Sequence, residues 1–206
     1  METLKKIFLS LIITGIAITA SAQSQSVIQS AYVKSYESEQ VGSYSAALNE
    51  IKAIYNVKDY TANIRLGWLS YLLKQYSEAI RYYNIAIGLK PYAIEARFGC
   101  IKPLSAIESW EKVKYNYLKI LEIDPQNSVA NYWLGVMYYN GKDYSNAQKL
   151  FEKVVNLYPL DYDSTIMLAW SKLNLGKNTE ARYLFNQALI LRPSDSSALA
   201  GLKLIK

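Results

Sequence analysis

The sequence predicts an all-α protein, a solenoid of about five antiparallel helix hairpins closed by a short C-terminal capping helix. Three observations lead to this fold class. Four of the five prolines are spaced 34 residues apart, at Pro91, Pro125, Pro159 and Pro193. Apolar residues recur at fixed distances before each proline, with helical spacing inside each interval. Small residues also recur in pairs, which would let the two helices of one unit approach closely.

The register of the repeat predicts where each helix begins and ends. The second helix is expected to begin at Ser77, Ser145 or Thr179, whose hydroxyls can accept bonds from N–H groups of the first turn. It should stop before the proline, which cannot continue a helix beyond the first turn. The first helix is expected to end near Gly141 or Gly176, where a left-handed residue can terminate it. An aromatic residue eight positions before each proline is expected to pack between hairpins: Tyr83, Tyr117, Phe151 and Phe185.

This register divides the chain into hairpins at about 28–59, 60–93, 94–127, 128–161 and 162–195, with the cap at 196–206. The first copy is two residues shorter than the period and has Asp59 where the proline would fall. Stacked repeats bury one continuous core, so residues 23–206 are predicted to form one domain.

The third hairpin departs from the packing pattern. Ile101 and Val113 occupy positions where the other full-length units carry glycine or alanine. Pro103 falls within the first helix and removes one backbone hydrogen bond, opposite Gly99. We expect a kinked hairpin whose helices are splayed. It is either a hinge that widens a groove or a drifted repeat that serves as a spacer, and the spacer is favoured.

The N-terminus predicts export. Lys5 and Lys6 precede the apolar run 7–20, and small residues follow at Ala20 and Ala22. A charged start, an apolar segment shorter than a membrane span and a small-x-small exit are typical of a cleaved signal peptide, here residues 1–22. The protein is therefore expected outside the cytoplasm, in the periplasm rather than fully secreted, although secretion stays open.

The composition argues against several kinds of chemistry. Histidine is absent, which excludes His-based catalytic groups and imidazole metal ligands. Cys100 is the only cysteine and occupies a position that is leucine in the other full-length repeats, so it is interpreted as a core residue. No glycine-rich phosphate loop is present. The net charge of +6 is spread along the chain and does not indicate nucleic-acid binding. We expect no enzyme activity, no cofactor and no metal.

The repeat resembles the tetratricopeptide repeat, whose 34-residue pattern runs Leu-Gly-x-x-Tyr, then Ala-x-x-x-Phe, then Pro. The fourth unit carries that pattern in order, at Leu134, Gly135, Tyr138, Ala147, Phe151 and Pro159. The tryptophan of the family pattern is replaced throughout, by Asn63, Arg97, Asn131 and Thr165. The resemblance implies a right-handed superhelix whose first helices line a concave groove that holds segments of other proteins.

The residues at the groove positions of the family pattern are mostly aromatic or aliphatic, and Lys102 is the single charged one. They are Tyr32, Tyr36, Ile64, Trp68, Tyr71, Phe98, Lys102, Tyr132, Val136, Tyr139, Ile166 and Trp170. The clamp of charged and amide side chains with which some family members bind a C-terminal carboxylate is therefore not carried over. An aromatic groove favours an apolar extended segment or an amphipathic helix. The alternative is that some of these side chains, Ile64 and Ile166 first, belong to the core.

Three functions remain open at this point. The leading one is a non-enzymatic interaction scaffold of the cell envelope that binds another protein in the groove. The second is a self-assembling subunit that stacks through its cap, whose apolar residues are Ala198, Leu199, Leu202, Leu204 and Ile205. The third is a cell-wall glycan-binding module, because tyrosine and tryptophan faces also stack on sugars. The sequence does not identify the partner.

Overall fold

The computed structural model describes residues 25–205, and every regular element in that range is an α-helix. The predicted signal peptide, residues 1–22, lies outside the described residues. The chain forms two compact units, one ending at Ala106 and one beginning at Ile107. The all-α solenoid of helical hairpins is confirmed, with eleven helices in the described range.

The first unit contains helices α1 to α5. Their bounds are residues 25–40 for α1, Tyr44–Ala53 for α2, Tyr60–Leu72 for α3, Tyr76–Leu89 for α4 and Glu95–Ala106 for α5. The second unit contains α6 at Trp110–Ile123, α7 at Ser128–Asn140, α8 at Tyr144–Leu157, α9 at Tyr162–Asn174, α10 at Asn178–Leu191 and the cap α11 at Ser196–Leu204.

The predicted starts of the second helices are wrong by one residue each. Helix α8 begins at Tyr144 and is capped by the Asp143 side chain, so Ser145 lies inside the first turn. Helices α4 and α10 begin likewise before Ser77 and Thr179, without a side-chain cap. The reason is the tight hairpin turn. A residue with positive φ ends the turn earlier than expected, and the next helix follows at once.

The first helices end near Gly141 and Gly176 as predicted, but only one of these two glycines is left-handed. Gly176 has φ +73°, a conformation that suits glycine, and terminates α9 as expected. Gly141 has φ −77°, and its neighbour Lys142 takes the left-handed conformation instead, with φ 60°.

Buried amides occupy two of the four positions where the family pattern has tryptophan. The Asn63 amide nitrogen donates to the carbonyl oxygens of Val57 and Asp59, at 2.9 and 2.6 Å. The Asn131 amide donates in the same way to the carbonyls of Pro125 and Asn127, at 3.0 and 2.9 Å. These bonds hold the loop between two hairpins against the first helix of the next, so hydrogen bonds here replace the packing of a large ring.

A buried lysine joins three helices of the second unit. Lys172 on α9 is ion-paired with Glu152 on α8, at 2.7 Å, and with Glu180 on α10. Its ammonium group is compensated by two carboxylates, and this is what allows a lysine to be buried in a hairpin core.

Pro103 does not end α5, which remains helical on both sides of the proline and buries it. Ile101 and Val113 are also buried. The splaying of the third hairpin, on which both the hinge and the spacer interpretations depend, stays a prediction.

Candidate functional site

Several predicted groove residues of the first unit line a cavity of about 690 Å³ between α1 and α3. Tyr36, Ile64 and Trp68, three of the predicted groove residues, line it together. Its other lining residues are Glu39, Gln40, Tyr44, Thr61, Arg65 and Leu72. The walls are therefore mainly aromatic and aliphatic, while two opposite charges stand at Glu39 and Arg65. A volume of this size suits a side chain or a short segment of a ligand.

A hydrogen-bonded network fixes the polar side of this cavity. Arg65 is buried, donates to the Ser35 hydroxyl from Nε and Nη2 at 3.1 and 3.0 Å, and forms an ion pair with Glu39. Its guanidinium carbon lies 3.9 Å from the centre of the Tyr36 ring. The Trp68 indole N–H donates to the other oxygen of Glu39 at 2.6 Å. One carboxylate thus orients both the arginine and the tryptophan, so the aromatic wall is held in place before any ligand arrives.

The sequence prediction missed Ser35, Glu39 and Arg65. A signal was present, because Arg65 is the only basic residue at its register position, where the other repeats carry Gly99, Trp133 and Met167. An arginine that replaces apolar or small residues in one copy of a repeat indicates that an acidic side chain of the same chain lies nearby to pair with it.

Three other predicted residues of the first unit lie beside Trp68 or line a neighbouring cavity. The Tyr71 ring centre is 5.7 Å from that of Trp68, and the Lys102 ammonium lies 5.6 Å from the Trp68 ring. Tyr32 lines a neighbouring cavity of about 650 Å³ with Asp59, and burial raises the pKa of its hydroxyl to about 12. Phe98 is half-buried on α5.

In the second unit the predicted groove residues are mostly engaged in internal contacts. The Trp170 indole N–H donates to the Ser197 hydroxyl at 2.8 Å, and its ring packs edge-on against Phe185. Tyr132, Val136 and Tyr139 are partly buried against the core of the second unit. Ile166 is a member of that core, with 8% of its surface exposed. This half of the predicted groove therefore offers less free aromatic surface than the first unit does.

Within residues 25–205, no group of three or more potential metal-ligating side chains comes together. No helix in this range is both long and apolar enough to cross a bilayer.

Comparisons with known proteins agree with the helical-hairpin architecture. Residues 60–92 match the family model described as tetratricopeptide repeat, and residues 114–188 match the model of anaphase-promoting complex, cyclosome, subunit 3. A search of curated protein sequences gives no significant match.

Solved structures with the same fold are found at low sequence identity. A tetratricopeptide repeat protein from Parabacteroides merdae is 20% identical over 87% of this chain and 72% of its own, with a TM-score of 0.73. A MamA protein from Desulfovibrio magneticus is 18% identical over 82% of this chain and 97% of its own, with a TM-score of 0.67. YrrB, described as a tetratricopeptide repeat protein with an unusual peptide-binding site, is 16% identical over 86% and 90% of the two chains, with a TM-score of 0.67. The chain therefore has the helical-hairpin fold of tetratricopeptide repeat proteins, and its second hairpin matches the model of that repeat.

Proposed function

We propose that this protein is a non-enzymatic interaction module that holds a segment of another protein in the cavity between α1 and α3. The observation that carries the proposal is the aromatic wall of Tyr36 and Trp68, which is fixed by the buried Arg65–Glu39 pair. Half of the Tyr36 surface is exposed although its ring stacks on Arg65. An exposed, oriented aromatic beside a cavity is a typical binding hot spot.

The walls and the charges together indicate what the segment carries. Ile64, Leu72 and the two rings would contact an apolar side chain, as the sequence predicts for an extended segment or an amphipathic helix. Arg65 and Glu39 compensate each other, so the cavity offers no net charge to a ligand. We therefore expect recognition by apolar contact area, with hydrogen bonds to Gln40 or Thr61 at the rim.

The test is affinity capture followed by a binding measurement. The mature chain is used as bait in an envelope extract, because residues 1–22 predict an exported, most simply periplasmic, protein. The captured partner is then purified and titrated against the wild type and Trp68→Ala. We expect the variant to bind about thirty-fold more weakly, the change that corresponds to loss of a hot spot of about 2 kcal/mol.

A matched control separates the site from general surface effects. Tyr183→Ala removes an exposed tyrosine of α10 in the other unit and should leave the affinity unchanged. Because Trp68→Ala also removes a donor to Glu39, Tyr36→Ala is measured in parallel. If both cavity variants bind like the wild type, the cavity is not the binding site and the proposal fails.

Self-assembly through the cap is the second candidate, and one observation favours it. Leu199 and Leu204 of α11 are exposed, whereas Ala198 and Ile205 are buried against the second unit. Sedimentation equilibrium of the wild type and of a Leu199→Lys/Leu204→Lys variant tests it. A wild type that stays monomeric at high concentration would eliminate this candidate.

A further inference from the structure

Two of the four full-length repeats carry a pairing of an aromatic ring with a cation at the junction with a neighbouring hairpin, whereas the copy with Ile94 and Asp124 at the equivalent positions has neither. Tyr60 and Tyr162 occupy the same register position, three periods apart, and so do Lys90 and Arg192. The Lys90 ammonium lies 4.7 Å from the Tyr60 ring centre, and the Arg192 guanidinium carbon lies 3.7 Å from that of Tyr162. These contacts are cation–π pairs within the chain.

Carboxylates accompany both pairs. The Tyr60 hydroxyl donates to Glu95 at 3.3 Å. Arg192 lies 3.5 Å from an oxygen of Asp163, and the Asp195 carboxylate adds to burial in raising the pKa of the Tyr162 hydroxyl. Each of these junctions therefore combines a ring, a carboxylate and a basic side chain supplied by the chain itself.

The junction between α7, α8 and α9 lacks the basic side chain. At the register positions of the ring and the cation it has Ser128 and Tyr158. A cavity of about 330 Å³ lies here, and both residues line it. Aromatic surface is nevertheless abundant, because Tyr132 and Trp133 also line the cavity with ring centres 5.3 Å apart and planes at 81°. The Trp133 ring is half exposed.

The charged residues that line this cavity are both acidic, Asp161 and Asp163. Burial raises the pKa of the Tyr132 hydroxyl, and the negative charges of Asp163 and Asp161 add to that shift. The Asp163–Arg192 pair is long and exposed, so it leaves the Asp163 carboxylate available to a ligand.

One further polar group is left for a ligand. The Ser164 side chain lines the cavity, and its hydroxyl is buried without a hydrogen-bond partner among the described residues. A buried hydroxyl without a partner costs free energy that a ligand donor could recover.

We propose that this cavity binds the basic side chain, lysine or arginine, of a segment from another protein, in place of the internal cation found at the two equivalent junctions. The ammonium or guanidinium group would lie against Tyr132 and Trp133 and be compensated by Asp161 and Asp163. The inference rests on the proposed function in that the ligand is part of a partner protein. It uses a cavity in the second unit that is separate from the one between α1 and α3.

The experiment observes the indole N–H signal of Trp133 in ¹⁵N-labelled full chain, assigned by its absence in Trp133→Phe. The probes are N-acetyl-lysine methylamide, its arginine and norleucine counterparts, and a methyl glucoside. A single side chain is expected to bind with a Kd of the order of 1 mM. We expect saturable shifts of the Trp133 signal with the lysine and arginine probes and smaller, non-saturating shifts with norleucine, which has a similar chain without charge.

One double variant and two single variants test whether the carboxylates and the missing cation cause the binding. Asp161→Asn/Asp163→Asn removes both charges, while asparagine can still cap α9. The double variant should bind the lysine probe about ten-fold more weakly. Tyr158→Lys restores a cation at the register position and should abolish binding, whereas Tyr158→Leu removes the ring alone and should only weaken it. Trp110→Ala, which removes a similarly exposed tryptophan of the same unit, should have no effect.

Equal shifts with norleucine and lysine would show an ordinary apolar pocket and overturn the proposal. A stronger response to the methyl glucoside would overturn it in favour of a sugar site, and no response to any probe would also overturn it. None of these measurements needs the captured partner, so their outcome is independent of the test at Trp68.

Discussion

Replacing Gly99 by alanine is expected to destabilise the first unit, because the added methyl group would collide with the Tyr83 ring. A Cβ at position 99 would lie 2.2 Å from Cε1 and 2.6 Å from Cζ of that ring, where ordinary contact begins at 3.4 Å. The ring or α5 must therefore move by roughly 1 Å. The ring has little freedom, since only 2% of Tyr83 is exposed and it also packs on Gly67, at 3.0 Å from the corresponding Cβ position.

The expected change in the free energy of unfolding is the difference between two opposing effects. Overpacking a tight core costs about 1–3 kcal/mol, and so short a contact places the cost near the upper end. Alanine is better than glycine inside a helix by up to about 1 kcal/mol, which offsets part of it. We expect Gly99→Ala to lower the free energy of unfolding by about 1–2 kcal/mol. Because the Tyr83 ring of α4 lies against both α3 and α5, the displacement would also move Lys102 away from Trp68.

Urea unfolding followed by far-UV circular dichroism measures the change, with Gly88→Ala as the matched control. Gly88 lies in α4 with no atom within 4 Å of its Cβ position, so alanine there should stabilise the helix slightly. In a Tyr83→Leu background, Gly99→Ala should lose most of its cost, because the ring is absent. If Gly99→Ala and Gly88→Ala unfold at the same urea concentration, the collision does not govern stability and the argument is refuted.

Three further outcomes are expected. Ile166→Ala should lower the free energy of unfolding by about 3 kcal/mol, as for a core residue, without weakening partner binding per folded molecule; weaker binding at unchanged stability would return Ile166 to the groove. Glu39→Gln should cost about 3 kcal/mol because it leaves the Arg65 charge buried without compensation, and Glu39→Gln/Arg65→Met should recover part of that loss; a single variant as stable as the wild type in urea would contradict this. The Ala198 amide and the Tyr162 hydroxyl lower the pKa of Asp195 in the folded chain. The stabilisation of α11 is therefore present above the unfolded pKa near 3.8 and is lost as the pH falls through the lower folded pKa. Amide exchange at Ala198 should accelerate in that acidic range in the wild type, and an Asp195→Asn variant, which can still cap the helix, should show no such change.

The fold was predictable because the same spacing of apolar residues recurs in every full-length repeat. The 34-residue register fixes which residues face the core, and Gly135 meets Phe151 as the small-residue rule requires. The ends of the helices were less predictable. They depend on which residue of a turn adopts positive φ, and Lys142 does so although a glycine stands beside it.

The candidate site was predictable only in part, for a related reason. Family positions identified Tyr36, Ile64 and Trp68, which do line one cavity. The same positions selected Trp170, whose indole is bonded to Ser197 of the capping helix. A position in a repeat specifies the face of a helix, but the neighbour that covers this face differs along the array and at its end.

One position of the repeat also accounts for the different ligands that we propose for the two cavities. Arg65 and Trp133 share one register position, and each departs from the small or flexible residues found there in the other copies, Gly99 and Met167. At Arg65 the departure is compensated inside the chain, since Glu39, Ser35 and Tyr36 satisfy the guanidinium.

Trp133 also departs from the residue types of the other repeats, but the chain does not supply bonding partners around it as it does around Arg65. The residue that would supply the cation is replaced by Tyr158, which is more than half exposed. Stacked repeats select the same residues at the same positions because each copy must bury the same core. A residue that departs from the pattern and finds its bonding partners within the chain, as Arg65 does, therefore forms a fixed wall of a site. A position that breaks the pattern beside rings and carboxylates whose internal cation, Arg192, reaches the carboxylates only through a long and exposed ion pair leaves room for a cation from outside. This difference distinguishes the second cavity from the first.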